Sequence, residues 1–250
     1  MSGTLASMGT VMWGRDVATT YDASAAAMFE PAVLGPTVDL LAELADGGPA
    51  LELAVGTGRV ALPLHERGID VHGVELSPHM VEQLRAKPGA DGVPVTVGDM
   101  TSTRVPGSFR LVYLVWNTIM NVTTQDEQVA VFQNAAAHLS DGGRFLVEVI
   151  VPQLRKVPPG ASARVFALEP DHVGVETFDD TVEQIAWSHH WTTVGDRFVH
   201  HAAPYRYVWP SELDLMARLA GLHLEHRWSD WTRTPFTTPS DTQIALYKKP

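Results

Sequence analysis

The spacing of apolar residues alternates between the helical and the strand period over the first 150 residues. Apolar positions three and four apart are typical of helices that bury one face, and short continuous apolar runs are typical of buried parallel strands. The predicted elements are, in chain order, a helical "TTYDASAAAMF", a helix at Val38–Ala45, a strand at Ala50–Val55, a helix at Arg59–Arg67, a strand ending at Glu75, a helix at Pro78–Ala86 capped by Ser77, strands at "VPVTVGD" and "FRLVYLVW", a helix at Asp126–Leu139 and a strand at "RFLVEVIV". This alternation predicts an α/β fold with a doubly wound parallel sheet.

A different pattern occupies residues 152–208. Short strand-like runs rich in Val, Phe, Trp, Tyr and His replace the helical spacing there. The α/β pattern then resumes with a predicted helix at Pro210–Ala220 and two strands, "LHLEHRW" and "TQIALYKK". We therefore expect an α/β core formed by residues 1–151 and 209–250, interrupted by an antiparallel β insertion at 152–208.

The clearest part of the insertion is a β-hairpin with Gly195–Asp196 in its turn. In a hairpin with a two-residue turn, the numbers of facing residues sum to 391 here, so His190 lies opposite His201 and Trp191 opposite His200. This register predicts one face with Ile185, Trp187, His189, Trp191, Phe198 and His200, and a second face with His190, Thr192, Val199, His201 and Tyr205. A slip of one residue would exchange the two faces.

Composition narrows the class of protein. The formal charge of −11, from 18 Lys and Arg against 29 Asp and Glu, opposes binding to phosphate backbones, so no nucleic-acid partner is expected. The absence of Cys excludes disulfides and thiolate nucleophiles. No window of eighteen apolar residues and no basic, then apolar, N-terminal segment occurs, so we expect no membrane span, no signal peptide and a cytoplasmic location.

The segment "LELAVGTGRVALPL" is predicted to be a strand, a tight turn and a helix start. Gly56, Gly58 and Ala61 give the spacing G-x-G-x-x-A of dinucleotide sites, in which glycines let the backbone approach a ligand. Glu75 ends the next strand, where a carboxylate can accept both hydroxyls of a ribose. These residues predict a ligand with a ribose and an adenine, but the glycine spacing alone leaves the kind of cofactor open.

Two further features bear on that choice. Glu52 lies inside the first predicted strand between apolar residues, and burying such a carboxylate is costly unless it is paired or hydrogen-bonded. The motif "GDM" places Asp99 and Met100 directly after the third strand, where a polar and an apolar side chain can contact the edge of an adenine.

Taken in order, "LELAVGTGR", "VHGVELSPHM", "VTVGDM", "LVYLVWNTIMNV" and "HLSDGGRFLVEV" resemble class I S-adenosylmethionine-dependent methyltransferases. The similarity is greatest to small-molecule enzymes of actinobacterial type, including N-methyltransferases of amino sugars, and it covers about Tyr21 to Val149. The resemblance implies a Rossmann-like sheet of seven strands with the last strand antiparallel. It also implies S-adenosyl-L-methionine as cofactor and S-adenosyl-L-homocysteine as product.

The resemblance further assigns roles to individual positions. It implies that Glu52, Ala54, Gly56 and Gly58 hold the methionine part of the cofactor and that Glu75 binds the ribose. It places Leu76 and Met80 against the adenine, and Asp99 and Met100 at the edge of the adenine. It places Trp116 and Asn117 beside the sulfonium and the methionine amino group, and Tyr21 over the cofactor. Val55 departs from the family pattern, in which a small residue or Cys is frequent.

The acceptor of the methyl group is assigned to the insertion, which we expect to act as a lid over a small molecule with an apolar or aromatic part. His189, His190, His200 and His201 are candidate general bases, because a histidine titrates near working pH without tuning. They can equally be cross-strand neighbours without a catalytic role, and a metal pair of His190 with His201 lacks a carboxylate partner in the hairpin, so no metal is expected. Whether N, O or C is methylated stays open, as does a homodimer.

Two other classes of function compete with a methyltransferase. An NAD(P)-dependent oxidoreductase would need an acid/base pair such as Tyr-x-x-x-Lys beside the hydride, and the sequence contains none. A non-catalytic cofactor-binding protein would lack an acceptor site beside the sulfonium. Both alternatives share the glycine turn, so that turn does not distinguish them from an enzyme that transfers methyl groups.

Overall fold

A computed structural model describes residues 13–250. Residues 1–12 lie outside the described range, and with them about half of the N-terminal segment on which the expectation of no signal peptide rests. The α-helices of this range are α1 (Arg15–Ser24), α2 (Pro31–Ala45), α3 (Ala61–Glu66), α4 (Pro78–Arg85), α5 (Gln125–His138) and α6 (Pro210–Leu219). Short 3-10 helices lie at Ala26–Phe29, Ala90–Gly92, Thr118–Asn121 and Gln153–Lys156.

The strands form two sheets. Those of the larger sheet are β1 (Ala50–Leu53), β2 (Val71–Glu75), β3 (Val95–Val97), β4 (Phe109–Leu114), β5 (Leu139–Ile150), β10 (His223–Trp228) and β11 (Thr242–Lys248). Those of the smaller sheet are β6 (Ala163–Leu168), β7 (His172–Asp180), β8 (Ile185–Val194) and β9 (Arg197–Arg206).

The larger sheet has the strand order β10-β11-β5-β4-β1-β2-β3. Strands β1 to β5 run parallel to one another, and β11 lies antiparallel between β5 and β10. The carboxyl ends of β1 and β4 are neighbours although a crossover separates them in sequence, and open α/β sheets bind ligands at such a reversal of strand order. The predicted seven-stranded sheet with its last strand antiparallel is confirmed.

Two apolar clusters cover the faces of this sheet. One joins the sheet to α5 and α6 through side chains such as Phe132 and Met216, and the other joins it to α2, α3 and α4 through side chains such as Leu41 and Leu84. Helices therefore flank both faces, which explains why the parallel strands are continuous apolar runs in sequence. No helix within 13–250 combines the length with the apolar composition needed to cross a membrane.

The smaller sheet is antiparallel with the order β6-β7-β8-β9, and all four strands come from the predicted insertion. The pair His190 with His201 and the pair Trp191 with His200 occur as predicted, because Gly195 adopts φ +65 in a two-residue turn. Phe178 and Ala186 of this sheet are buried in the same apolar cluster as α5 and α6. The smaller sheet is thus packed against the carboxyl end of the larger one.

Two elements begin five or more residues before their predicted starts. The helix predicted at Val38–Ala45 begins seven residues earlier, because Pro31 occupies its first turn and Pro36 is tolerated inside it at the loss of one backbone hydrogen bond. The strand predicted at "RFLVEVIV" begins at Leu139, because Leu139 already pairs with Phe109 of β4. The register then shifts across the "SDGG" segment, where Gly142 has φ +70, and pairing with β4 resumes at Arg144.

Candidate functional site

The carboxyl ends of β1 to β4 open into a cavity of about 620 Å³ that also reaches the smaller sheet. Ten of the twelve residues that the sequence assigned to the cofactor line it. They are Tyr21, Ala54, Gly56, Glu75, Leu76, Met80, Asp99, Met100, Trp116 and Asn117. Residues far apart in sequence therefore meet around one space, as the motif order implied.

The glycine turn after β1 has an unusual backbone. Gly56 has φ +57, and a Cβ added there would meet nothing within 4 Å, so the backbone of this residue faces open space. Ala54 has φ +58, a conformation in which an L side chain is strained. Strain of this kind persists where the surroundings hold it, often at ligand sites.

Glu75 is bound on both carboxylate oxygens by backbone amides. Gly56 N–H donates to Oε2 at 2.9 Å, and Ser77 N–H donates to Oε1 at 2.8 Å. Each oxygen keeps a second lone pair, so the carboxylate can still accept two hydroxyl groups from a ligand. Burial raises the pKa of Glu75 above its ordinary value, although the hydrogen bonds from the amides of Ser77 and Gly56 offset part of this rise.

Helix α1 closes one side of the cavity. Trp13 and Tyr21 line the cavity from this N-terminal segment. The Thr57 hydroxyl in the glycine turn donates to Asp22 Oδ1 at 2.6 Å, and the Asp22 carboxylate also pairs with Lys87. The helix is thus tied directly to the turn that it covers, which the sequence pattern did not indicate.

The end of β4 is held in place by a carboxylate on β5. Trp116 and Asn117 both have positive φ, at +58° and +59°. Glu148 Oε2 accepts the Trp116 N–H at 2.7 Å, while its Oε1 accepts the indole N–H of Trp231 at 2.9 Å. The guanidinium of Arg59 lies 5.4 Å from the Trp116 ring centre.

Three residues in and just before the glycine turn do not line the cavity. Glu52 does not line the cavity, is 3% exposed and accepts a hydrogen bond from the Tyr113 hydroxyl at 3.0 Å. Gly58 has φ +83 and lies against Leu62 and Leu84, so its position is explained by packing. The side chain of Val55 is buried against the Cα of Gly73, away from the cavity.

The far half of the cavity is lined by residues that the sequence did not assign to a site. They come from α5, from the loop before it and from the smaller sheet: Thr118, Asn121, Val122, Thr123, Glu127, Phe166, Glu176, Ser188 and Pro204. Glu127 could have been found, because Thr124 and Glu127 form the spacing of a helix cap box, and Thr124 does cap α5. No local signal identifies Glu176, since its burial follows from the docking of one sheet on another.

The four candidate histidines are divided by the hairpin register. Only His190 lines the cavity. His189 and His200 stack on each other on the opposite face of the sheet, with ring centres 5.4 Å apart, and His201 is exposed. Within residues 13–250, no group of three or more His, Asp or Glu side chains is arranged to hold a metal ion.

Comparison with known proteins agrees with this architecture. Residues 50–143 match the family described as methyltransferase domain. The CcbJ methyltransferase from Streptomyces caelestis is 33% identical, with a TM-score of 0.78 over 86% of this chain and 89% of that chain. No curated protein matches the sequence significantly.

Two more distant structures share the fold. The S-adenosylmethionine-bound amino pentose methyltransferase CalS10 from Micromonospora echinaspora is 18% identical, with a TM-score of 0.66 over 87% of this chain and 90% of that one. The sugar N-methyltransferase KedS8 from Streptoalloteichus sp. is 20% identical, with a TM-score of 0.59 over 85% of each chain.

A seven-stranded sheet with an antiparallel last strand, and a cavity that meets the glycine turn and Glu75, define a nucleoside-binding enzyme of the Rossmann-like class. The chain belongs to the S-adenosylmethionine-dependent methyltransferases. Membership of this family confirms the resemblance, with S-adenosylmethionine as cofactor and S-adenosylhomocysteine as product, and it contradicts the oxidoreductase alternative.

Proposed function

We propose that this enzyme methylates an amine nitrogen of a small molecule and that residues 152–208 form the lid over that acceptor. The observation that carries the proposal is the charge of the cavity. Its far half presents the carboxylates of Glu127 and Glu176, and none of the lining residues from the described range is Lys or Arg. Glu176 is paired with Arg164 on β6, whereas Glu127 has no cationic partner among the ion pairs of residues 13–250. The uncompensated charge of Glu127 attracts a cation and disfavours an acidic acceptor.

The near half of the cavity suits the cofactor. We assign Glu75 to the ribose hydroxyls, Leu76 and Met80 to the faces of the adenine, and Asp99 with Met100 to its edge. When bound, the cofactor supplies a methyl group made electrophilic by a positive sulfonium. The backbone of Gly56 faces open space at the position that the methionine part would occupy.

Arg59 is the residue that we add to the predicted cofactor site. Its guanidinium lies near Trp116. Burial raises the pKa of both Glu52 and Tyr21, and the charge of Arg59 opposes that rise. No ion pair to Arg59 occurs among the salt bridges of residues 13–250. We therefore assign Arg59 to the carboxylate of the methionine part, with which a guanidinium forms a charge-assisted hydrogen bond.

An amine acceptor must lose a proton before its lone pair is free to attack a methyl group. His190 is the cavity-lining histidine, and burial lowers its pKa, so its imidazole is neutral near pH 7 and able to accept that proton. The enclosed cavity between the two sheets holds the acceptor close to the donor and limits competition by water. Phe166 and Trp116 provide apolar contacts for a sugar ring or an aromatic group.

The similar structures support an amine acceptor. CalS10 is an amino pentose methyltransferase and KedS8 a sugar N-methyltransferase, and both share the fold over most of this chain. We take amino sugars as the first acceptors to examine for this enzyme. The net charge of −11 argues against a nucleic-acid substrate.

The test has two stages. Isothermal titration with S-adenosylhomocysteine is expected to show binding that Glu75→Ala weakens at least about 10-fold, because two charge-assisted hydrogen bonds are lost, whereas His200→Ala leaves affinity nearly unchanged. Transfer of a labelled methyl group is then measured across matched amino sugars and their hydroxyl analogues. Incorporation into hydroxyl analogues but not into amines would overturn the proposed acceptor class, and absence of binding at millimolar product would overturn the cofactor site.

A further inference from the structure

Three side chains connect the cavity to the edge of the smaller sheet. Ser188 and His190 line the cavity from β8. The Ser188 hydroxyl lies 2.9 Å from His190 Nε2, and His190 Nδ1 lies 2.9 Å from His172 Nε2. The planes of the two imidazole rings are almost parallel, with an angle of 8° between them. We call this hydrogen-bonded row the Ser188–His190–His172 chain.

The arrangement uses both ring nitrogens of His190. A neutral imidazole has one N–H donor and one acceptor nitrogen, so the identity of each neighbour determines its tautomer. If the Ser188 hydroxyl donates to Nε2, the proton of His190 is on Nδ1 and is donated to His172. Phe166 packs edge-on against His190, with ring centres 5.4 Å apart, and restricts the ring to this orientation.

The far end of the chain is close to solvent. His172 is the first residue of β7 and is only partly buried. It follows directly on the exposed turn residues Glu169, Pro170 and Asp171. A proton that reaches His172 can therefore be released to water without crossing the apolar core.

We propose that the Ser188–His190–His172 chain removes a proton from the bound amine acceptor and releases it at the turn between β6 and β7. The acceptor N–H⁺ donates to the Ser188 oxygen while the Ser188 hydroxyl proton moves to His190 Nε2. The Nδ1 proton of His190 passes to His172 Nε2, and His172 releases its Nδ1 proton to water. Proton exchange with water restores the resting tautomers of both histidines before the next turnover. The amine nitrogen keeps the electron pair of its broken N–H bond, and the net result is one proton transferred from acceptor to solvent. This proposal rests on the proposed amine methylation.

The charges around His190 are consistent with a proton carrier. Burial lowers its pKa, and the neighbouring histidines His172, His201 and His189 lower it further, while the Glu176 carboxylate raises it. Glu176 itself is paired with Arg164 on β6, at 2.6 Å. A neutral His190 in the resting enzyme is the state that can accept a proton.

The first test uses the enzyme without acceptor. Two-dimensional ¹⁵N NMR of histidine side chains, with S-adenosylhomocysteine absent and present, reports the tautomer of each imidazole. In the wild-type enzyme we expect the Nδ1–H tautomer at His190. His172→Gln is expected to retain this tautomer, because the glutamine amide oxygen still accepts the hydrogen bond from Nδ1–H. His172→Phe is expected to lose it. His200→Gln, on the opposite face, is the control and is expected to leave the His190 signals unchanged.

The second test uses methyl transfer to the amino sugar that reacts fastest in the acceptor panel. Both His172→Gln and His172→Phe are expected to lower kcat about 10-fold or more at pH 7 and to approach the wild-type rate near pH 10, where the amine is already deprotonated. S-adenosylhomocysteine affinity is expected to stay the same in both variants. A packing role for His172 would instead give a loss that is independent of pH.

The outcomes separate the two proposals. An Nε2–H tautomer at His190, or a His172→Phe variant with unchanged His190 signals and pH profile, overturns the proton chain while methyl transfer stands. Wild-type enzyme that binds S-adenosylhomocysteine but transfers no methyl group to any amine overturns the proposed function instead.

Discussion

At the scale of single residues, the site depends on backbone conformations that L side chains rarely adopt. Ala54, Trp116 and Asn117 all have positive φ and all line the cavity. Such strain costs on the order of 1–3 kcal/mol per residue and persists only where surrounding contacts hold it. For Trp116 the holding contact is the Glu148 carboxylate, which accepts its backbone N–H.

Arg59 offers a test that separates the two ends of the cofactor. We expect Arg59→Met to weaken S-adenosylhomocysteine binding about 10-fold or more, because a charge-assisted hydrogen bond to the ligand carboxylate contributes about 1.5–3 kcal/mol. Binding of 5′-methylthioadenosine, which has no carboxylate, is expected to be unchanged. Isothermal titration with both ligands measures the difference.

Arg67→Met is the matched control, because Arg67 pairs with Asp39 at the surface away from the cavity. Equal losses of affinity for the two ligands in Arg59→Met would show that Arg59 acts through the Trp116 ring or the fold and does not contact the carboxylate.

Glu52 makes stability depend on pH. Burial raises its pKa to about 8 from an ordinary value of 4.5, so in the window between these values the unfolded chain releases the proton that the folded chain keeps. The free energy of unfolding therefore falls as pH rises from 4.5 to 8, by an amount on the order of a few kcal/mol. Glu52→Gln removes this dependence while an amide oxygen still accepts the hydrogen bond from Tyr113.

Urea unfolding of wild type and Glu52→Gln at pH 5 and pH 8 measures the effect. The free energy of unfolding of Glu52→Gln minus that of wild type is expected to be larger at pH 8 than at pH 5. Taking this difference at each pH cancels the contributions of the other titrating groups. The same difference at both values would mean that Glu52 ionises normally in the folded enzyme.

At the scale of elements, α1 is attached to the glycine turn through a single carboxylate. We expect Asp22→Ala to loosen the attachment of this helix, because the Thr57 hydroxyl loses its acceptor and the Lys87 ammonium keeps only its hydrogen bond to the Thr57 carbonyl. Limited proteolysis within the N-terminal segment is expected to become about 10-fold faster, and S-adenosylhomocysteine binding weaker. Asp16→Ala, an exposed position on the same helix, is the control, and equal effects of both substitutions would contradict the role given to Asp22.

The elements also show what sequence can predict. The hairpin register follows from one two-residue turn, because the numbers of paired residues have a constant sum once Gly195–Asp196 is placed. The start of β5 does not follow from local pattern, because Leu139 pairs with Phe109 on a distant strand through a register shift. Local chemistry therefore predicts turns and caps such as Ser77, whereas strand ends that depend on a partner require the structure.

At the scale of the whole molecule, the two sheets share one apolar cluster. Phe178 on β7 is buried there with Tyr207, the ring centres 6.1 Å apart. We expect Phe178→Ala to destabilise the whole chain by about 3–5 kcal/mol, in one unfolding transition. Urea unfolding followed by tryptophan fluorescence and by far-UV circular dichroism is the measurement.

Phe198→Ala is the control, since that side chain is 60% exposed, and its cost is expected to stay within about 0.5 kcal/mol. Two separated midpoints in the wild-type enzyme would show that the smaller sheet unfolds independently of the larger one.

The two halves of the cavity differ in how far sequence predicts them. The cofactor half is built from the ends of successive strands, so motifs such as the glycine turn and "GDM" indicate it before any tertiary contact is known. The half that we assign to the acceptor exists only where the smaller sheet packs against the larger one and α5. Glu176 and His190 belong to the same short segment as His189 and His200, and only the docking of the sheets shows which of them face the cavity.

The smaller sheet supplies its cavity residues from one uninterrupted stretch of chain, Phe166 to Pro204. With the acceptor assigned to this half of the cavity, mutations that alter acceptor preference can accumulate in two short regions of the gene, this stretch and residues 118–127, while the residues assigned to the methyl donor stay constant. Recombination that exchanges the stretch from the smaller sheet between related genes would move most of these residues as one unit. A family built in this way can diversify its products quickly without rebuilding its donor site.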